Sequence, residues 1–182
     1  MLGGLEVAVR ELRGRSVPHA LIGAAAMAGR GVMRSTDDVD LLVTDRAVLR
    51  DAFWTSAAEQ GFTVEVRLGD HEDPLAGVVR LVREPERAVD VVVGRYAWQA
   101  EAIQRAEPLR VGSVEVGLVL ASDLILLKLY AGARQDLLDA EALLAAGERR
   151  TLVAAVDAQV GRLPKSAQES WQGITSGNGM SR

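Results

Sequence analysis

Arg34-Ser35-Thr36-Asp37-Asp38-Val39-Asp40-Leu41-Leu42-Val43 reads as a turn feeding a short apolar strand whose mouth carries three carboxylates. Side chains alternate along a strand, so Asp38 and Asp40 share one face, Val39 and Leu41 share the core-facing other, and Asp37 points away from the pair. Leu42 and Val43 carry the strand into a buried region. Two like charges one pleat apart repel each other unless water or a cation screens them, and two convergent carboxylates with open positions suit Mg²⁺. On the local pattern alone, a strand edge bearing solvated aspartates reads equally well. The surroundings of the stretch have to decide.

At 182 residues the chain is long enough for a substantial core. Hydrophobic residues make up 48% and charged residues 25%, the balance of an ordinary globular protein. The net charge of −4 argues against a broad basic face for nucleic acid, while 21 Lys and Arg leave room for a local groove. The absence of cysteine excludes disulfides and thiolate metal sites. His19 and His71 lie far apart in sequence, with no partner at ligand spacing. There is no run of about 18 apolar residues and no basic-then-apolar N-terminal layout, so the expectation is a cytoplasmic protein without membrane association.

Along the chain, Leu5 to Leu12 reads as a short amphipathic helix. His19-Ala20-Leu21-Ile22 is a candidate first strand, broken by Gly23. Ala24-Ala25-Ala26-Met27-Ala28 is strongly helix-forming, and its start at Gly23 offers unpaired N–H groups to an anion. Asp45 can cap a helix from about Ala47 to Gln60 with Leu49, Ala52, Phe53 and Ala57 on one face. Phe62 to Leu68 alternates as a half-exposed strand. The acidic loop Asp70-His71-Glu72-Asp73 reads most simply as solvated. Val78 to Val82 and Ala88 to Val93 form an antiparallel hairpin around Glu84-Pro85-Glu86-Arg87.

A helix is expected from Tyr96 to about Ala106, then a small strand pair or edge strand near Val111–Val116. Further helices follow at about Asp123–Gly132, Arg134–Ala146 and Thr151–Val160. Beyond Gly161 the chain is rich in Ser, Gly, Gln and Asn, with Trp171 its only aromatic. Over 163–182 weak order is expected, with at most a short helix at Ser166–Gln172. The expected fold class is α+β: a single domain over 1–162, with a mixed β-sheet core over about 17–118 flanked by helices and a helical part over about 121–162.

Asp90 is the second informative carboxylate. It sits in Ala88-Val89-Asp90-Val91-Val92-Val93, apolar enough to be buried on both faces. Burying an unpaired carboxylate costs several kcal/mol, so such a residue calls for a partner or a cation, unless the strand is an edge and the aspartate reaches water. If this strand lies beside the Asp38/Asp40 strand, three carboxylates converge. Three carboxylates and nucleotide phosphates holding two metal ions form a common device for phosphoryl or nucleotidyl transfer.

The order strand-Gly23-Ala24-x-Ala26, then Arg34-x-Thr36-x-Asp38-Val39-Asp40-Leu41, then a strand with Asp90 resembles the polymerase-β-like nucleotidyltransferase superfamily. The later Asp123-Leu124-Ile125-Leu126-Leu127-Lys128-Leu129-x-Ala131-Gly132-x-Arg134-x-Asp136-x-x-Asp139 resembles the helical region of small bacterial members related to the abortive-infection toxin nucleotidyltransferases. The resemblance covers about Ala20 to Leu144. One departure is Ala24, where the family usually has Gly or Ser, so a hydroxyl and some backbone freedom are missing.

The resemblance implies the nucleotidyltransferase fold, with Asp38, Asp40 and Asp90 as Mg²⁺ or Mn²⁺ ligands and Asp90 able to help deprotonate an acceptor hydroxyl. Gly23 and Ala24 would hold the NTP phosphates through backbone N–H groups. Thr36 could contact phosphate or stabilise the turn, and Arg34 could meet phosphate or pair with Asp37. Lys128 could place a point charge on the triphosphate, with Arg134 beyond it, or snorkel between core leucines. Asp123, Asp136 and Asp139 read as capping and ion-pairing groups. The implied function is metal-dependent transfer of NMP from an NTP to a hydroxyl of tRNA, a protein or a small molecule. A toxin role in a toxin–antitoxin system would add an antitoxin as partner. The alternatives are an antibiotic nucleotidyltransferase and a catalytically weak binding or regulatory module, which Ala24 favours.

Overall fold

The computed structural model describes residues 3–34, 36, 38–70 and 73–176. Helix α1 spans Gly4–Gly14, strand β1 Ala20–Ile22, helix α2 Gly23–Gly29 and strand β2 Asp38–Val43. Two 3₁₀ turns, Arg46–Leu49 and Asp51–Trp54, lead into α3 at Thr55–Glu59. Strands β3 (Thr63–Leu68), β4 (Gly77–Val82) and β5 (Ala88–Val93) follow, then α4 (Ala97–Gln104), β6 (Glu107–Val111) and β7 (Val114–Leu118). The chain continues as α5 (Ala121–Ala131), α6 (Arg134–Ala146), α7 (Arg149–Val160) and α8 (Lys165–Thr175). The class is α+β, with a seven-stranded mixed sheet.

Where one domain was expected, the described residues form two compact units. The first comprises the chain up to Ala26 and from Arg34 to Val119; the second comprises Met27–Met33 and the chain from Leu120 onward. The first unit holds the sheet, in the order β3-β4-β5-β2-β1-β7-β6. β2 runs parallel to β5 and antiparallel to β1, while β4 and β5 form the expected antiparallel hairpin. Helix α1 packs against β4, β5 and β7, and α4 packs against β2. The sheet face under α1 carries Val79, Leu81, Val89 and Val91, all buried. By the pleat, Arg80 and Asp90 stand on the opposite face, half-buried. Strand β5 is therefore buried on one face and not on both, and this lets a carboxylate sit in a valine run.

The segment expected as one helix from Ala47 to Gln60 is broken. Asp45 does cap its start, accepting from the Ala47 N–H at 2.8 Å. Arg50 then adopts an extended conformation, φ −96° and ψ 131°. The side chains that need burial are Val48, Phe53, Trp54 and Ala57. Adjacent Phe53 and Trp54 lie about 100° apart on a regular helix, and the break turns both inward. The Trp54 indole N–H donates to the Val48 carbonyl at 2.7 Å and fixes the broken form.

In the second unit α5 packs against α6, α7 and α8, and α7 also contacts α6 and α8. Helix α5 ends at Gly132, whose left-handed φ of 70° is the expected glycine stop. The weakly ordered tail expected from 163 is instead helical as far as Thr175. Leu163, Ala167 and Trp171 are buried, and the Trp171 indole donates to Asp157 Oδ1 at 2.7 Å. Spacings of four residues supply an apolar stripe that its polar composition conceals.

Candidate active site

Asp38 and Asp40 sit on β2 in register with β5. Asp40 on β2 pairs with Asp90 on β5, and Asp90 pairs across the hairpin with Arg80 on β4. Arg80 in turn faces Glu65 on β3, and Asp40 faces Ile22 on β1. One row therefore crosses five strands on one face: Glu65, Arg80, Asp90, Asp40, Ile22. Asp38 lies one pleat away on the same face, opposite Ala88.

Gly23 follows directly on β1 and is required twice over. Its φ is +63°, and a Cβ there would fall 1.9 Å from Asp40 Oδ2. Only glycine lets the Asp40 carboxylate lie against the start of α2. Ala24 is the next residue of that seven-residue helix and is half-buried. Thr36 takes the turn-stabilising role: its hydroxyl donates to the Asp38 carbonyl at 3.1 Å and accepts from the Asp38 N–H at 3.2 Å. Arg34 is exposed at the mouth of this turn. Its suggested partner Asp37 lies outside the described residues, as does His71 of the acidic loop.

Arg80 is the residue that the sequence reading missed. Its Nη2 donates to Asp38 Oδ1 at 2.8 Å and its Nη1 donates to Asp90 Oδ2 at 2.7 Å, with a longer contact from Nη1 to Asp38 Oδ2 at 3.4 Å. The bond to Asp38 holds the guanidinium pKa above its ordinary value. Asp90 moves the other way for a carboxylate. Burial pushes its pKa up, the Arg80 charge pulls it down, and the Asp38 charge raises it again, for a net upward shift. The signal was in the sequence: a hairpin symmetric about Pro85 places Arg80, the one cation in Val78–Val82, opposite Asp90.

The expected convergence of three carboxylates is corrected accordingly. Asp38, Asp40 and Asp90 occupy adjacent strands in register, but among the described residues no three His, Asp or Glu side chains close on a common metal-binding point. The physical reason is the guanidinium between Asp38 and Asp90. The donor set nonetheless fits Mg²⁺ or Mn²⁺, with three carboxylates supplying hard oxygens. Asp90 Oδ1 is also buried with no hydrogen-bond partner, a cost that a cation or a transferable proton would relieve.

Lys128 and Arg134 belong to the second unit and are described within it. The Lys128 ammonium donates to Asp136 Oδ1 and Asp139 Oδ2, each at 2.8 Å, with 14% of its side chain exposed. Burial lowers its pKa, but the bonds to Asp136 and Asp139 outweigh that and leave it raised. Two carboxylates answer this charge, in an ion triad that joins α5 to α6. Asp136 and Asp139 have the ion-pairing role expected of them. Arg134 is exposed at the first residue of α6, and Asp123 is fully buried in the first turn of α5.

No protein-family model matches the chain. No curated protein matches it either. Solved structures do. ANT(2'')-Ia in complex with adenylyl-2''-tobramycin superposes with a TM-score of 0.56 at 15% identity, over 87% of this chain and 95% of that one. The antibiotic-resistance factor ANT(2'')-Ia in solution gives 0.55 at 14% identity, over 87% and 90% of the two chains. The lincosamide antibiotic adenylyltransferase LnuA, lincomycin-bound, gives 0.51 at 13% identity, over 79% and 96%. At such identities the likeness establishes the fold, and the chain has the nucleotidyltransferase fold.

Proposed function

We propose that this protein is a metal-dependent nucleotidyltransferase that moves a nucleoside monophosphate from an NTP to an acceptor hydroxyl. The observation that carries the reading is the register of Asp40 and Asp90 on parallel neighbouring strands, with Asp38 one pleat away and Gly23 packed on Asp40. Asp38 and Asp40, with Asp90, are the residues that would hold Mg²⁺ or Mn²⁺. The bound ion would neutralise phosphate charge and orient the triphosphate. Asp90 Oδ1, buried and without a partner, is the atom that accepts the acceptor's proton. The acceptor oxygen then bonds to the α-phosphorus, the bond from that phosphorus to the bridging oxygen breaks, and pyrophosphate leaves. Backbone N–H groups after Gly23 and the exposed Arg34 are the groups proposed for the phosphates. An NTP substrate supports a cytoplasmic location.

For the acceptor, the likeness to ANT(2'')-Ia with adenylyl-2''-tobramycin and to lincomycin-bound LnuA supports a hydroxyl-bearing small molecule. The net charge of −4 gives tRNA less electrostatic help. Transfer to tRNA or protein, in a toxin opposed by an antitoxin, rests on the α5–α6 sequence resemblance. The guanidinium across Asp38 and Asp90 favours the alternative of a catalytically weak binding module. The test incubates the protein with each α-labelled NTP and Mg²⁺, offering an aminoglycoside, a lincosamide, total tRNA or protein lysate in turn. Transfer to one acceptor, lost in Asp40→Asn, is expected. Absence of Mg²⁺-dependent NTP binding would sink the enzyme reading.

A further inference from the structure

The Arg80 guanidinium bridges two of the site's carboxylates, and its contacts are uneven. It meets both oxygens of Asp38, at 2.8 and 3.4 Å, but only Oδ2 of Asp90, at 2.7 Å. Asp38 therefore has both oxygens engaged by Arg80, Oδ1 closely and Oδ2 weakly, and the guanidinium charge stands where a metal would approach. Asp90 keeps Oδ1 uncommitted. One-third of the Arg80 side chain is exposed, which leaves it room to move. Directly across β4–β3, on the same face, stands Glu65, whose charge already acts on Arg80. Glu65 is 46% exposed and holds Arg67 at 3.4 Å, a long contact that a second guanidinium can share. The groups facing Arg80 are thus Asp38 and Asp90 on one side and Glu65 with Arg67 on the other.

We propose that Arg80 is a resident counter-cation that occupies Asp38 until a divalent metal displaces it, and that Glu65 receives the displaced guanidinium. The inference rests on the metal-dependent reading above and adds a positioning residue to it. Without the metal, Arg80 offsets the repulsion between Asp38 and Asp90 and keeps the strands in register. With the metal, the same charge opposes binding, because a monovalent cation must leave for a divalent one to enter. The site then fills readily only when nucleotide phosphates bring further ligands, which ties metal uptake to substrate.

The experiment measures Mn²⁺ binding by the full chain without nucleotide, by calorimetry or electron paramagnetic resonance, alongside thermal melts with and without Mn²⁺. Arg80→Gln is expected to bind Mn²⁺ about tenfold more tightly than wild type, to melt lower without Mn²⁺, and to recover most of that loss when Mn²⁺ is added. A merely structural Arg80 would lower the melting temperature at every Mn²⁺ concentration. Glu65→Gln is expected to shift affinity the opposite way, about twofold weaker. Arg80→Lys carries the test if the glutamine variant does not fold, with about threefold tighter binding expected. Unchanged or weaker Mn²⁺ binding in the Arg80 variants, with wild type still binding, overturns the gate and leaves the metal reading intact. Mn²⁺ binding by none of them, either without nucleotide or with NTP added, overturns both.

Discussion

Asp90 is the residue at which the proposed function and stability pull against each other. Its carboxylate is placed mid-strand, 17% exposed, with one oxygen on Arg80 and the other unpaired. The folded protein therefore holds the Asp90 proton more tightly than the unfolded chain does, and burial is the main cause. Below the ordinary aspartate range both states are protonated and this stabilising contribution is fully present. As pH rises through the raised folded value it is lost, and at neutral pH the ionised group is a net burden. Asp90→Asn mimics the protonated form and keeps an acceptor for Arg80. We expect it to raise the melting temperature at pH 7 by roughly 2–4 °C, the equivalent of about 1 kcal/mol in a chain of this size. Toward pH 4 the gain should shrink, while nucleotidyl transfer is lost at every pH. Thermal melts across that range check it, and equal gains at both ends would show that the carboxylate's charge is not the burden.

Between elements, the α5–α6 junction poses the same problem and solves it differently. Lys128 is answered by Asp136 and Asp139, the latter 4% exposed, and Gln135 donates to Asp139 Oδ1 at 3.1 Å. With its folded pKa raised, the lysine's contribution is complete through neutral pH and lost only as pH climbs past the ordinary lysine range. Lys128→Met leaves a buried carboxylate without its cation and should cost about 3 kcal/mol, read by chemical denaturation. Lys128→Met with Asp139→Leu should recover most of that, because an apolar pair of similar volume removes both charges together. Asp136 can remain, being part-exposed in the first turn of α6, where the helix dipole favours an anion. A Lys128→Met variant of unchanged stability would show that the triad adds nothing to the fold of the helical unit. The contrast explains what could be read beforehand. Strand alternation put Asp38 and Asp40 on one face and the hairpin turn framed the strand of Asp90, because pleat and hairpin register are local rules, whereas the pairing of β2 with β5 is long-range and was only a condition. Lys128 was ambiguous because a cation between leucines looks the same whether it meets phosphate or a carboxylate on the next helix. Arg80 was overlooked because only the register of two strands, taken together, reveals its partners.

At the scale of the whole chain, the fold class and the order of strands and helices were legible, since hydrophobic period separates the two kinds of element. The break between sheet core and helical part near residue 120 was legible too, while the helix at Lys165–Thr175 was not. Composition made 163–182 look unable to bury enough surface, yet order in a helix depends on a few well-spaced side chains. Leu163, Ala167 and Trp171 recur every four residues and are all buried, and the packing partners of α8 are α5 and α7. Trp171 is the largest of these and 2% exposed, its indole tied to Asp157 on α7. Removing it deletes a buried ring and leaves the Asp157 oxygen without that donor. Trp171→Ala should therefore cost about 3–5 kcal/mol within the helical unit. Native-state hydrogen exchange is the direct measurement, with amides of α5 and α7 expected to lose protection along with those of α8. Protection lost from α8 alone would mean that the helix rides on its neighbours without supporting them. Loss across all three would make the C-terminal helix a structural member of that unit, so that a chain cut after Gly161 should not keep α5 and α7 folded.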